Sequence, residues 1–193
     1  MKKQILRFSA LVLFTIALVS CSSDDDSNDG NTASEGQLVA TIEGSPFTAQ
    51  DQSVIATLFG DFFNLTAINS LGETIVINVS NASEGTFDLS AAANTENGAV
   101  YTINGENAYG TVTEGGSGSI TISHLDTENL LVSGTFEFIA TRLSLDDQGN
   151  TITETVTINQ GAFNNLSLET DVAGDANNSL TANVDGVAVN TSS

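Results

Sequence analysis

Beyond residue 20 this chain of 193 residues has one cation, Arg142, one cysteine, one proline and one histidine, and it has no tryptophan anywhere. Each shortage excludes something. The other cations, Lys2, Lys3 and Arg7, precede any acid, so from residue 21 onward one cation stands against 24 acids, a formal charge of −23. Such a surface repels phosphate backbones and anionic headgroups, which excludes nucleic acid as a partner and docking through a basic patch. A lone cysteine forms no intrachain disulfide, so the domain must be held by its core. Zinc and other transition metals need clustered His and Cys, and no cofactor is expected.

Catalysis is equally short of parts. A Ser or Cys nucleophile needs a base, and only His124 is available. It follows Ile120-Thr121-Ile122-Ser123, so strand parity places it with the two Ile at a strand end, as a rim histidine. Gly115-Gly116-Ser117-Gly118-Ser119 does not fit the nucleophile elbow Gly-x-Ser-x-Gly and reads as a turn before a strand. With no motif present, the chain is read as non-enzymatic.

Long apolar runs are also missing. Phe8 to Val19, behind Lys2, Lys3 and Arg7, is only 12 residues. That is too short for a transmembrane helix of ~20 residues and fits the h-region of a signal peptide, so residues 1–20 are set aside from the fold. Leu18-Val19-Ser20-Cys21 follows and resembles the lipobox of bacterial lipoproteins, in which the Cys is acylated and begins the mature chain. Lipidation at Cys21 implies a membrane anchor of several acyl chains, which suffices for stable attachment without spanning. An ordinary cleaved signal that leaves Cys21 free is the competing reading. Residues 22–36 hold five acids and one apolar side chain, so they read as a flexible, disordered tether. Acids directly after the Cys also resemble the export signal that sends Bacteroidota lipoproteins to the outer face of the outer membrane; a plain solubilising spacer is the alternative.

From Gln37 onward the apolar pattern has a period of two. In Glu73 to Ser80, Ile75, Ile77 and Val79 share one face; in Thr151 to Asn159, Ile152, Val156 and Ile158 do. Twelve strands are expected, at 37–43, 46–50, 53–59, 62–69, 73–80, 85–89, 98–103, 107–112, 118–124, 130–141, 151–159 and 162–168. The fold class is all-β, a single antiparallel β-sandwich or flattened β-barrel over residues 37–168. Ten Phe and no Trp are available to fill its core. Residues 169–193 read as a linker followed by the possible start of a second repeat. There Leu180-Thr181-Ala182-Asn183-Val184-Asp185-Gly186 matches Leu38-Val39-Ala40-Thr41-Ile42-Glu43-Gly44 at an offset of 142. A stray last strand with the same pattern is the alternative.

With these parts in place, the chain resembles a family of small uncharacterised Bacteroidota surface lipoproteins classed as a domain of unknown function. The likeness rests on Ala40-Thr41-Ile42-Glu43-Gly44-Ser45-Pro46-Phe47, Gly85-Thr86-Phe87-Asp88-Leu89, Gly118-Ser119-Ile120-Thr121-Ile122, Val132-Ser133-Gly134-Thr135-Phe136-Glu137-Phe138 and Val156-Thr157-Ile158-Asn159-Gln160-Gly161-Ala162-Phe163. It implies a location and an architecture, and no activity.

Two kinds of site remain to be weighed. Calcium needs only oxygen ligands, and the acid and amide loops make Asp146, Asp147, Asp171 and Asp175 its candidates, although neither loop has EF-hand spacing. A ligand patch would use exposed aromatics: Tyr101 and Tyr109, placed on one face of a hairpin by their separation, with Phe62. The expected function is thus a lipid-anchored, surface-exposed outer-membrane lipoprotein, monomeric, with a binding or structural β domain and an unknown glycan or protein partner. The alternatives are a glycan- or peptide-binding accessory of a nutrient-uptake system and a hydrolase using a carboxylate pair.

Overall fold

The computed structural model describes residues 32–93 and 96–170, and the backbone of 179–184 and 187–192. Cys21, Asp171 and Asp175 lie outside the described residues, as do the expected signal peptide and most of the expected tether. Eleven strands form the body: β1 (Gln37–Ile42), β2 (Ser45–Gln50), β3 (Val54–Phe59), β4 (Phe62–Ile68), β5 (Thr74–Val79), β6 (Gly85–Asp88), β7 (Gly98–Thr102), β8 (Ala108–Gly110), β9 (Ser117–Asp126), β10 (Leu131–Leu145) and β11 (Thr151–Thr170). A separate hairpin follows, β12 (Ser179–Val184) and β13 (Val187–Ser192). Two 3₁₀ turns, Asp51–Ser53 and Ala91–Ala93, are the only helical elements among the described residues.

The body is one sheet in the order β2-β1-β11-β3-β4-β5-β7-β8-β10-β9-β6, and β10 also pairs with β11. That extra pairing joins β11, β3, β4, β5, β7, β8 and β10 into a closed ring, so the flattened-barrel expectation holds. Hairpin β1–β2 extends from β11 as one flap, and β9–β6 extends from β10 as another. Closure leaves only the flap strands β2 and β6 as full-length edges, which guards the sheet against further pairing. The sheet is not purely antiparallel: β3 runs parallel to β11, with Leu168 opposite Ala56 and Thr170 opposite Leu58. The reason is length. β11 outruns β1, and its last residues meet β3 in the place β1 has vacated.

The two expected strands 151–159 and 162–168 are one. Gln160 and Gly161, the two residues left between those expected strands, belong to a β-bulge: Phe138 faces Ile158 and Phe136 faces Gly161, so three steps on β11 match two on β10. Gln160 takes a left-handed φ of 51° to absorb the extra residue. The strand continues because β1 and β10 flank it on both sides.

Period-two alternation fills the interior. Leu38, Ala40, Phe47, Phe63, Leu65, Ile75, Ile77, Ile120, Ile122, Phe136, Phe138, Ile158 and Phe163 are all buried in one cluster. Close crossing of the long strands needs two glycines: a Cβ on Gly134 would lie 2.2 Å from the Thr121 carbonyl oxygen, and one on Gly161 2.5 Å from the Phe136 ring. Any other residue there forces the strands apart. The body also begins earlier than expected. Ala33 is buried, Gly36 N–H donates to the Asn164 carbonyl (2.8 Å), and Asn164 Nδ2 donates to the Ala33 carbonyl (3.3 Å), so Ala33–Gly36, assigned to the tether, is docked on β11.

Candidate functional site

Most of the unusual chemistry of the chain collects at one end of the barrel. Tyr101 on β7 faces Tyr109 on β8, with ring centroids 6.3 Å apart. The two share a face, as their spacing implies, but that face is the interior. Tyr101 is 2% and Tyr109 7% exposed, so the exposed ligand patch is corrected. Each ring spends its hydroxyl on a carboxylate: Tyr101 donates to Glu73 Oε1 (2.7 Å) and Tyr109 to Glu154 Oε2 (2.9 Å). Phe62 does not join them. It is partly exposed beside Phe59 at the β3–β4 tip, whereas Tyr101 neighbours Ile75, which faces Ala67. Ala67 is five residues along β4 from Phe62, or ~17 Å at the rise of a strand.

Arg142, the one cation of the body, is the hub of the group. Its Nε (2.9 Å) and Nη2 (2.8 Å) approach Glu154 Oε2, Nη1 donates to Asn107 Oδ1, and the guanidinium carbon lies 5.0 Å from the centre of the Tyr109 ring. Ser144 Oγ donates to Glu154 Oε1 (2.6 Å). These donors, Ser144 first, then Arg142 and Tyr109, hold the Glu154 carboxyl down at about 2. Burial, and then the hydrogen bond to Glu73, pushes the Tyr101 phenol up; burial followed by Glu154 does the same to Tyr109. On the other side, Asn69 Nδ2 donates to Glu73 Oε2 (2.5 Å) while its Oδ1 accepts from Leu71 and Glu73 N–H.

The arrangement is one of fixed charge. A carboxyl held far below neutrality is a poor general acid, and phenols pushed upward remain protonated. The adjoining pocket of about 210 Å³, lined by Ile42, Glu43, Ser45, Pro46, Glu73, Tyr101, Ile103 and Val156, is smaller than the ~300–1,000 Å³ of typical ligand sites. The sign of the pH effect is definite. Because folding lowers the Glu154 pKa from 4.5 to about 2, its contribution is complete above pH ~4.5 and is lost as pH falls through about 2. Thermal melts of wild type and Glu154→Gln should therefore differ at pH 7 and converge as the pH approaches 2; a constant difference refutes the role.

The remaining candidates separate. Asp146 sits at the β10–β11 turn and accepts from Gln148 N–H, Asn150 N–H and Asn150 Nδ2. Hydrogen bonds from Asn150 lower its pKa, so its oxygens serve the turn. Asp147 is exposed beside it. No group of three or more His, Cys, Asp or Glu able to hold a metal occurs among the described residues. His124 departs from its expected side. A register shift at Ser133/Gly134 makes Ser123 an extra residue, and the imidazole emerges half-exposed, 3.6 Å from Glu84. Sequence reasoning missed Glu73, Glu154 and Ser144. A signal existed for two of them: a sole cation must find an acid, and Ser144 shares its strand face.

No curated protein matches the chain, and no solved structure does. A family model does match, over residues 34–167, from the docked segment before β1 almost to the end of β11. The chain belongs to that family, described as a domain of unknown function, DUF6252.

Proposed function

We propose that the protein is a lipid-anchored lipoprotein of the outer membrane surface, whose barrel serves a non-catalytic binding or structural role. The observation that carries this is the uninterrupted order of charged start, short apolar run, Leu18-Val19-Ser20-Cys21 and acidic segment before a β body that buries its own core. The barrel end supports the non-catalytic part: its one strongly shifted carboxyl is fixed in ionised form by Ser144, Arg142 and Tyr109. Burial of Tyr101 and Tyr109 removes the aromatic platform on which the glycan-accessory alternative rested. The carboxylate-pair hydrolase is disfavoured because Glu154, held ionised by Ser144, Arg142 and Tyr109, cannot serve as its proton donor.

Replacing Cys21 by Ser should move the protein from the membrane fraction to the soluble fraction and abolish acylation of its N-terminal peptide in mass spectra. Replacing Asp24, Asp25 and Asp26 together by Asn should keep the chain in the membrane but shield it from protease added to intact cells. Membrane retention of the Cys21→Ser chain refutes the anchor, and unchanged protease access refutes the export role of the acids.

A further inference from the structure

We infer that β12–β13 is a spare copy of the β1–β2 flap, able to take its seat on β11 of the same chain. The sequence match at an offset of 142 covers seven residues; the backbone extends it to the whole hairpin. β1 (Gln37–Ile42) and β2 (Ser45–Gln50) displaced by 142 are β12 (Ser179–Val184) and β13 (Val187–Ser192), each pair joined by two residues. The pairing register is carried over too. Gln37 faces Gln50 as Ser179 faces Ser192, and Ile42 faces Ser45 as Val184 faces Val187.

The residues that seat the resident flap have counterparts in the spare. Leu38, Ala40 and Ile42 are buried against the core, and Leu180, Ala182 and Val184 stand at the equivalent register positions. At the turn, Glu43 N–H donates to the Thr157 carbonyl (3.0 Å) and the Glu43 carboxylate accepts from Thr157 N–H (2.6 Å). The sequence repeats that acid and glycine, Glu43-Gly44, as Asp185-Gly186.

Among the described residues, the spare has no strand partner beyond its own hairpin. β1 pairs on one side with β2 and on the other with β11, whereas β12 pairs with β13 alone. A two-stranded hairpin is marginal by itself, and the edge that β12 leaves open corresponds to the one β1 presents to β11. The chain geometry permits the exchange in one molecule. β1 runs antiparallel to β11, with Gln37 opposite Asn164, and β12 in that seat would place Ser179 there. From Thr170 the chain would reach back six residues along β11, ~20 Å, and the eight residues before Ser179 can span up to ~30 Å.

The resident flap holds the seat at rest because it is the more apolar. Phe47 and Ala49 are buried in β2, where β13 has Val189 and Thr191. Exchange would release residues 37–50 and so lengthen the link between Cys21 and the barrel by up to ~45 Å.

The test uses the chain from residue 21 with Cys21→Ser, so it does not depend on the anchor. Leu180→Asp alone should leave Tm within about 1 °C of the parent, whereas adding it to Leu38→Ala should lower Tm by several degrees beyond Leu38→Ala alone. The same drop in both backgrounds, or none in either, overturns the proposal. In the Leu38→Asp chain, cysteines at Ala162 and Thr181 should form a disulfide within the monomer, as cysteines at Val39 and Ala162 should in the parent. Absence of the Ala162–Thr181 bond, or its formation only between two chains, also overturns it.

Discussion

Replacing Phe163 by Ala is expected to remove about 3–5 kcal/mol of folding free energy, the usual cost of emptying a large aromatic site in a close-packed core. The site cannot collapse easily. Phe163 is 2% exposed and is held from both sides of β11, facing Leu38 across β1 and Gly134 across β10. Its ring lies 6.5 Å from that of Phe136, which stacks 6.2 Å from Phe138. Gly134 offers no side chain to fill the gap, and a Cβ added there would meet the Thr121 carbonyl oxygen as well as the Phe163 ring. The hole would thus open where two flaps and the barrel wall meet. Against a total stability of ~5–15 kcal/mol the loss is large, and urea unfolding at neutral pH would show it as a fall in midpoint at constant slope. A loss below about 1 kcal/mol would mean that the β10–β11 crossing is not the centre of the core.

Thr111→Val is expected to cost about 2–4 kcal/mol although the two side chains have nearly the same shape. Thr111 is fully buried just past β8, and its hydroxyl does the work of a missing strand residue. It accepts from Ala99 N–H (2.9 Å) on β7 and donates to the Leu89 carbonyl (2.5 Å), while Thr111 N–H donates to the Ala99 carbonyl (2.9 Å). Valine would leave one donor and one acceptor buried without a partner, each worth ~1–3 kcal/mol. Thr111→Ser keeps both bonds and loses only a methyl group, so it should retain most of the stability. Equal melting of the Val and Ser variants would refute the hydroxyl's role. The position matters because the ladder that closes the ring on this side is thin: β8 is registered against β10 at one pair, Gly110 opposite Thr141.

How much of this was legible beforehand differs from residue to residue. Ile75, Ile77 and Val79 alternate with polar neighbours, and they are buried as that alternation implies. The break expected between 159 and 162 is a bulge instead, because an interruption and a bulge call for the same residue types, those that tolerate positive φ. Only the flanking strands decide between them, and β1 lies about 120 residues away in the chain. Tyr101 and Tyr109 were correctly placed on one face, but periodicity does not say whether a face looks inward. Their carboxylate partners, Glu73 and Glu154, lie 28 and 45 residues away and arrive only through the ring of strands.

The sequence by itself determined the strand class, the shortage of His and Cys, the sign of the charge, and the order of charged start, apolar run and Leu18-Val19-Ser20-Cys21. These follow from composition and from short-range order, where each residue acts through its own chemistry or its nearest neighbours. Only the tertiary structure decided that the sheet closes through β10 and β11, that the tyrosines face inward, that a bulge turns His124 outward, and that Arg142 is spent on Glu154. Those outcomes depend on register between distant strands, and a shift of one residue in register exchanges the buried and exposed faces without altering the local pattern at all.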